Sequence, residues 1–228
     1  PPDFTNVPEL TISKPGTPAV RSLSHLTSNV PLFARPEPME TSPLTQLRMP
    51  WLSTLPPRNF WALESMVVVM PFGHAVPFGS PREQQAKNVP LYDDYITKDV
   101  IPFVESEYRV AQGKANRAVA GLSMGGGQSL HTGFSHPELF SAVGAFSAAV
   151  PADFETRFAA VLADAKARPA TIWFACGRED SLFARSEKLD AALTAKGVPH
   201  TWRPTAGNHT YTYWRQYLAE FTPLLFRK

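Results

Sequence analysis

Asn116-Arg117-Ala118-Val119-Ala120-Gly121-Leu122-Ser123-Met124-Gly125-Gly126-Gly127 decides the fold. Ala118-Val119-Ala120-Gly121-Leu122 has the short apolar character of a buried strand, and a glycine-rich helix start follows at Met124. Between them Ser123 sits at the centre of a Gly-x-Ser-x-Gly pattern. A serine at a sharp strand-to-helix turn has its hydroxyl lifted clear of the sheet. Glycines two residues to either side let strand and helix approach. The helix start then offers partial positive charge to a developing oxyanion, with the Met124 N–H as a candidate donor. The five-residue pattern alone arises by chance in roughly one chain in twenty. The strand before it and the helix after it supply the required context; the competing reading is a tight turn with an incidental serine.

Outward from this turn, strand and helix patterns alternate. Met66-Val67-Val68-Val69-Met70 reads as a buried parallel strand. Residues 91–108 carry apolar side chains at helical spacing, with a break or restart at Pro102. Strands are expected at 142–147, 171–176 and 201–203, and helices at 153–166, 181–196 and 211–226. Such alternation predicts an α/β fold: a mostly parallel central sheet, right-handed crossovers and helices on both faces.

The ends of the later strands carry candidates to activate Ser123. In open parallel sheets the reactive side chains gather beyond the carboxyl ends of the strands. Asp180 follows the strand 171–176, and His209 follows the strand 201–203. The order serine, acid, histidine is one of those that a nucleophile, an orienting carboxylate and a general base adopt. Glu179 is a rival acid. His131, His136 and His200 read as structural or exposed, His25 is uninformative, and His74 lies beyond the strand 66–70, where it is a candidate pocket residue.

Composition bounds the partners. The 228 residues suit a single domain, and 22 basic against 20 acidic side chains leave a net charge of only +2. That balance gives no reason to expect a nucleic-acid or anionic-membrane partner. Cys176 is the one cysteine, so no internal disulfide forms. The histidines are scattered without a ligand cluster, and neither metal nor cofactor is expected. At the start, Pro1-Pro2-Asp3-Phe4, neither a signal peptide nor an initiator methionine is visible, and the expectation is a mature or trimmed chain from which an address segment has been removed.

The residues resemble a known group. Met70-Pro71-Phe72-Gly73-His74-Ala75, Asp99-Val100-Ile101-Pro102-Phe103-Val104-Glu105 and Tyr108-Arg109-Val110 are similar to the esterase-D-like α/β-hydrolases. So are the stretch 116–127, Cys176-Gly177-Arg178-Glu179-Asp180 and His209-Thr210 with Trp214-Arg215. Within that group the resemblance is to feruloyl and acetyl-xylan esterases of carbohydrate esterase family one, over residues 65–228. It implies triad roles for Ser123, Asp180 and His209, and a secreted or periplasmic enzyme. The implied substrates are hydroxycinnamoyl or acetyl esters, small or linked to plant polysaccharide. Asn208 stands where glycine is common, a mild departure because asparagine tolerates a left-handed backbone. Tyr211 stands where tryptophan is common. With Phe72, Phe78, Trp173 and Trp214 it is a candidate to flank an aromatic acyl group, against the alternative of core packing. An acyltransferase of the mycolyltransferase type and a non-catalytic carbohydrate-binding protein are the alternative functions.

Residues 1–64 are atypical. Twelve of the 23 prolines fall in 1–57, and no glycine lies between Gly16 and Gly73, a composition unsuited to sheet interiors. Nothing in 30–64 looks like the strand ending in His-Gly that these enzymes place before residue 65, whose following loop gives the second oxyanion N–H. The break in patterning leads to the expectation that residues 20–64 did not evolve with the rest, as after a shifted reading frame. Peptide mass spectrometry of the active protein decides this: peptides from 21–64 should be absent, and finding them would overturn the expectation.

Overall fold

The computed structural model describes residues 32–34, 64–77 and 79–227. Among the described residues, six strands form one sheet: β1 (Leu32–Ala34), β2 (Val67–Val69), β3 (Arg117–Leu122), β4 (Ala142–Phe146), β5 (Thr171–Gly177) and β6 (Thr201–Thr205). Their order is β2-β1-β3-β4-β5-β6. β3 to β6 are parallel, whereas β1 pairs antiparallel with both β2 and β3.

Two expectations are corrected here. The run 66–70 is neither buried nor parallel to its neighbour: β2 is an edge strand, and Val68 is 46% exposed. A strand also exists in 30–64, at Leu32–Ala34, too short to show a period and close to Pro31 and Pro36. It is not the strand the resemblance implies. Ala34 lies opposite Arg117, at the start of β3, so β1 ends at the edge of the sheet remote from Ser123. The rest of residues 1–63 lies outside the described residues.

The period-2 pattern of the central strands sorts side chains onto two faces. Val119, Val143, Ala145, Ile172 and Phe174 point to one face, into a core with Ile96, Val104, Leu130, Phe134 and Leu189. Ile96 lies in the turn between helices α2 (Asn88–Asp94) and α3 (Ile101–Glu107), which follow the short α1 (Arg82–Gln85); Val104 belongs to α3, Leu130 and Phe134 to α4 (Met124–Ser135), and Leu189 to α7 (Phe183–Ala195). Ala118, Ala120, Phe146, Trp173 and Ala175 point the other way, under Trp214, Tyr217 and Phe221 of α8 (Tyr211–Phe221). Small residues on that face let the aromatic helix lie close. A Cβ at Gly144 would stand 2.9 Å from the Phe221 ring.

The helix expected over 91–108 is interrupted as its proline requires. A π-helical stretch, Tyr95–Val100, separates α2 from α3, and Pro102 sits in the first turn of α3. Proline has no N–H to give and would crowd the carbonyl four residues back, so the chain widens before it. The helix expected over 153–166 is instead two short ones, α5 (Phe154–Arg157) and α6 (Ala159–Ala163). Phe158 leaves helical geometry between them and, with Phe154, packs against Phe134 at ring distances of 5.7 and 5.0 Å. The last strand runs further than expected, to Thr205, and accommodates Pro204 because β6 is an edge.

Phe221 is fully buried against Phe146 and Trp173 at ring distances of 5.9 and 6.0 Å. Phe221→Ala is expected to destabilise the fold by about 3–5 kcal/mol, read from the urea unfolding midpoint.

Candidate active site

The turn at Ser123 is strained: φ is 54° and ψ is −119°, a backbone that non-glycine residues rarely hold. Neighbouring chain fixes it. The Ser123 N–H donates to the Phe146 carbonyl at 2.8 Å, and the Ser123 carbonyl accepts from the Ala149 N–H at 2.9 Å. Gly121 permits the turn, since a Cβ there would collide with the Gly125 carbonyl. The result is a hydroxyl at the carboxyl edge of the sheet, over the N-terminus of α4.

β5 and β6 end at the same edge. His209 Nε2 lies 2.8 Å from Ser123 Oγ, and His209 Nδ1 lies 2.8 Å from Asp180 Oδ2. The second Asp180 oxygen accepts the Leu182 N–H at 2.8 Å. The Asp180 side chain is wholly buried, and that of His209 is 34% exposed. Burial alone would lift the Asp180 carboxyl. Hydrogen bonds from the Leu182 N–H, the Ser147 hydroxyl and His209 outweigh it and hold the group below the usual carboxylate range. The three side chains form one hydrogen-bonded line, with a carboxylate to orient an imidazole and an imidazole to take a proton from the hydroxyl.

Glu179 is not the partner of His209. Its carboxylate accepts the Gly207 N–H, and its own N–H donates to the Gly207 carbonyl at 3.1 Å. The Arg178 N–H adds a bond to the Thr205 carbonyl at 2.8 Å. The loops carrying Asp180 and His209 are thus stitched together along their backbones. Gly207, at φ 109° and pressed against the Tyr213 ring, has no room for a side chain.

The remaining candidates are spread around this line. Met124 is the first residue of α4, so its N–H faces the serine edge. Trp214 is buried and stands edge-on to the His209 ring at 4.8 Å, which makes it a wall for the imidazole. Tyr211 is 63% exposed and edge-on to Trp214 at 4.9 Å. Half-buried His74 packs against the Phe72 ring at 5.5 Å, on the loop 71–77. Trp173 is buried in the core beneath α8, as in the core-packing alternative, while the Phe78 side chain lies outside the described residues. His136 pairs with Asp93 at 2.7 Å, and His200 pairs with Asp190 at 2.8 Å while stacking on Phe174. Burial lowers the pKa of His131. None of these three joins the line.

Sequence reasoning missed three supports. Buried Asn88 accepts the N–H groups of Ala75 and Val76 at 2.8 and 3.1 Å. Asn88 and buried Gln128 both donate to the Gly73 carbonyl, at 3.3 and 2.8 Å, which pins the loop 71–77 to α2 and α4. The third is Ser147, wholly buried at the end of β4; its position at a strand's carboxyl end was the available signal.

Comparison with known proteins adds the following. The sequence model of the family described as "Putative esterase" matches residues 58–225. An acetyl esterase from Caldicellulosiruptor saccharolyticus is 22% identical over 162 residues, 56% of this chain and 61% of the relative. Among solved structures, a ferulic acid esterase is 29% identical with a TM-score of 0.52, over 58% of this chain and 59% of the other. A CE1 ferulic acid esterase from Anaeromyces mucronatus in complex with ferulic acid is 22% identical with a TM-score of 0.62, over 72% and 66%. The chain spans about three fifths of the length of the first two relatives. The shared architecture is the α/β-hydrolase fold.

The Glu179 clasp can be tested. Glu179→Ala is expected to lower unfolding free energy by about 0.5–1.5 kcal/mol, because the solvent-exposed Gly207 N–H exchanges the carboxylate for water. Glu179→Gln, which keeps an acceptor oxygen, should cost less than the alanine variant in the same chemical denaturation experiment.

Proposed function

The chain belongs to the esterase family, and from that premise we propose that it is a serine carboxylic-ester hydrolase working through an acyl-enzyme. The observation that carries the reading is the line Ser123 Oγ–His209–Asp180, with both hydrogen bonds at 2.8 Å and the serine held in a strained turn. Its support is chemical. A free serine hydroxyl is a weak nucleophile, and an imidazole at hydrogen-bond distance activates it.

His209 takes the Ser123 proton as Oγ attacks the ester carbonyl. The tetrahedral oxyanion forms beside the α4 N-terminus, where the Met124 N–H donates to it. The imidazolium then gives its proton to the leaving alcohol. Water enters, His209 removes its proton, and attack on the acyl-enzyme releases the acid and frees Ser123. Asp180 keeps Nδ1 protonated so that Nε2 remains the base, and it steadies the imidazolium.

The substrate class proposed is an acetyl or hydroxycinnamoyl ester of plant polysaccharide, met outside the cytoplasm. Two features favour it: the likeness to an acetyl esterase and to ferulic acid esterases, and the aromatic pair Tyr211–Trp214 beside His209. His74 and exposed Tyr211 are the proposed contacts to the acyl group or its sugar.

Hydrolysis of p-nitrophenyl acetate, methyl ferulate and acetylated xylan, with and without an added sugar acceptor, tests this reading. Water is expected to be the acyl acceptor; preferential transfer to sugar would favour the acyltransferase alternative. Ser123→Ala should abolish fluorophosphonate labelling and lower kcat by roughly 10⁴-fold or more. Failure of the wild-type protein to label at Ser123 would leave a binding protein in place of an enzyme.

A further inference from the structure

β2 and β3 both pair antiparallel with β1, so they run in the same direction, and Leu32 lies opposite both Val69 and Val119. The loop 71–77 therefore leaves β2 at the edge of the sheet where Ser123 stands. Its outward residues are exposed Phe72 and half-buried His74, with rings 5.5 Å apart. Pro71, Gly73 and Val76 are buried beneath them. One side chain gathers the backbone of this loop. Asn88 Oδ1 accepts two successive N–H groups, from Ala75 at 2.8 Å and from Val76 at 3.1 Å. Its Nδ2 donates to the Gly73 carbonyl at 3.3 Å and reaches the sulfur of Met124, the neighbour of Ser123, at 3.8 Å. From α4, Gln128 Nε2 donates to the same Gly73 carbonyl at 2.8 Å.

A primary amide meets the needs of this spot. Two converging N–H donors want an oxygen, and the carbonyl beside them wants a donor. Aspartate would set a second oxygen against the Gly73 carbonyl. An apolar side chain would leave buried backbone groups without partners, each at a cost in stability. The helix that presents the amide is itself docked. Tyr92 of α2 is wholly buried, and Asp93 pairs with His136 at 2.7 Å. α2 and α4 are thus tied at both ends, at Asn88–Met124 and at Asp93–His136.

We infer that Asn88 is a positioning residue that sets acyl-group specificity: by fixing the loop 71–77 to the start of α4, it holds Phe72 and His74 as a wall on the Ser123 edge. This role deepens the ester hydrolysis proposed above and rests on it. An acetyl group has a single methyl beyond its carbonyl and gains little from such a wall. A hydroxycinnamoyl group carries a ring further out. A wall fixed in advance offers that ring an aromatic contact without the entropy cost of ordering a loop.

The experiment compares wild type with Asn88→Ala and with Gln128→Met, which removes the other donor to Gly73 at similar size. Gln128→Met carries the kinetic comparison where Asn88→Ala folds poorly. Ser123 is titrated with a fluorophosphonate, and kcat/KM per labelled site is measured on methyl ferulate and on p-nitrophenyl acetate. In both variants the value on methyl ferulate is expected to fall about tenfold further than that on p-nitrophenyl acetate, chiefly through KM. Equal falls on the two esters, or none, indicate a role in stability only and overturn the inference. So does a wild-type protein that cleaves p-nitrophenyl acetate but not methyl ferulate. Amide hydrogen exchange gives a readout independent of catalysis. The Ala75 and Val76 N–H groups should be protected in wild type and exchange about tenfold faster or more in Asn88→Ala. Unchanged protection overturns the inference too. If wild type neither labels nor hydrolyses either ester, the esterase reading fails, and exchange still decides whether Asn88 holds the loop.

Discussion

The molecule is organised around one unfavourable backbone conformation, the left-handed turn at Ser123. Strain of this kind persists only where its neighbours over-determine it. Here the neighbours are the carbonyl of Phe146 and the N–H of Ala149. The requirement that β4 end beside β3 follows from that contact, as does the tight entry to α4 past Gly121. A parallel sheet meets the requirement because it delivers several strand ends to one edge.

Packing supplies the rigidity behind the turn. Ala118, Ala120 and Gly144 form a low surface on one face, and the rings of Trp214, Tyr217 and Phe221 fill it. Burying each such ring contributes about 1.5–3 kcal/mol. The same helix also places Trp214 edge-on to His209. Core and site therefore share α8, and the imidazole has a wall that belongs to the hydrophobic interior.

Much of this was legible in the chain itself. The apolar runs at 118–122, 142–147 and 171–176 are long and buried on both faces, so composition alone marks them as central strands. The residues of the hydrogen-bonded line were visible because each closes a strand at the carboxyl end. Edges were harder. Val67-Val68-Val69 has the composition of a central strand but lies at the border, because three valines carry no record of which neighbour they pair with. Leu32-Phe33-Ala34 is too brief for a period. The split of the 153–166 helix follows from tertiary burial of Phe158, which local spacing does not encode. Asn88 and Gln128 were invisible for another reason: the backbone groups they bind are distant in sequence.

The stitching of the Glu179 and Gly207 loops has a mechanical consequence. Asp180 and His209 ride on segments that share backbone hydrogen bonds, whereas Ser123 is anchored to β4. The imidazole and its carboxylate are thereby tied to one another through the backbones of their own loops. The contact between hydroxyl and imidazole is the join in the line that no such backbone stitching reinforces among the described residues.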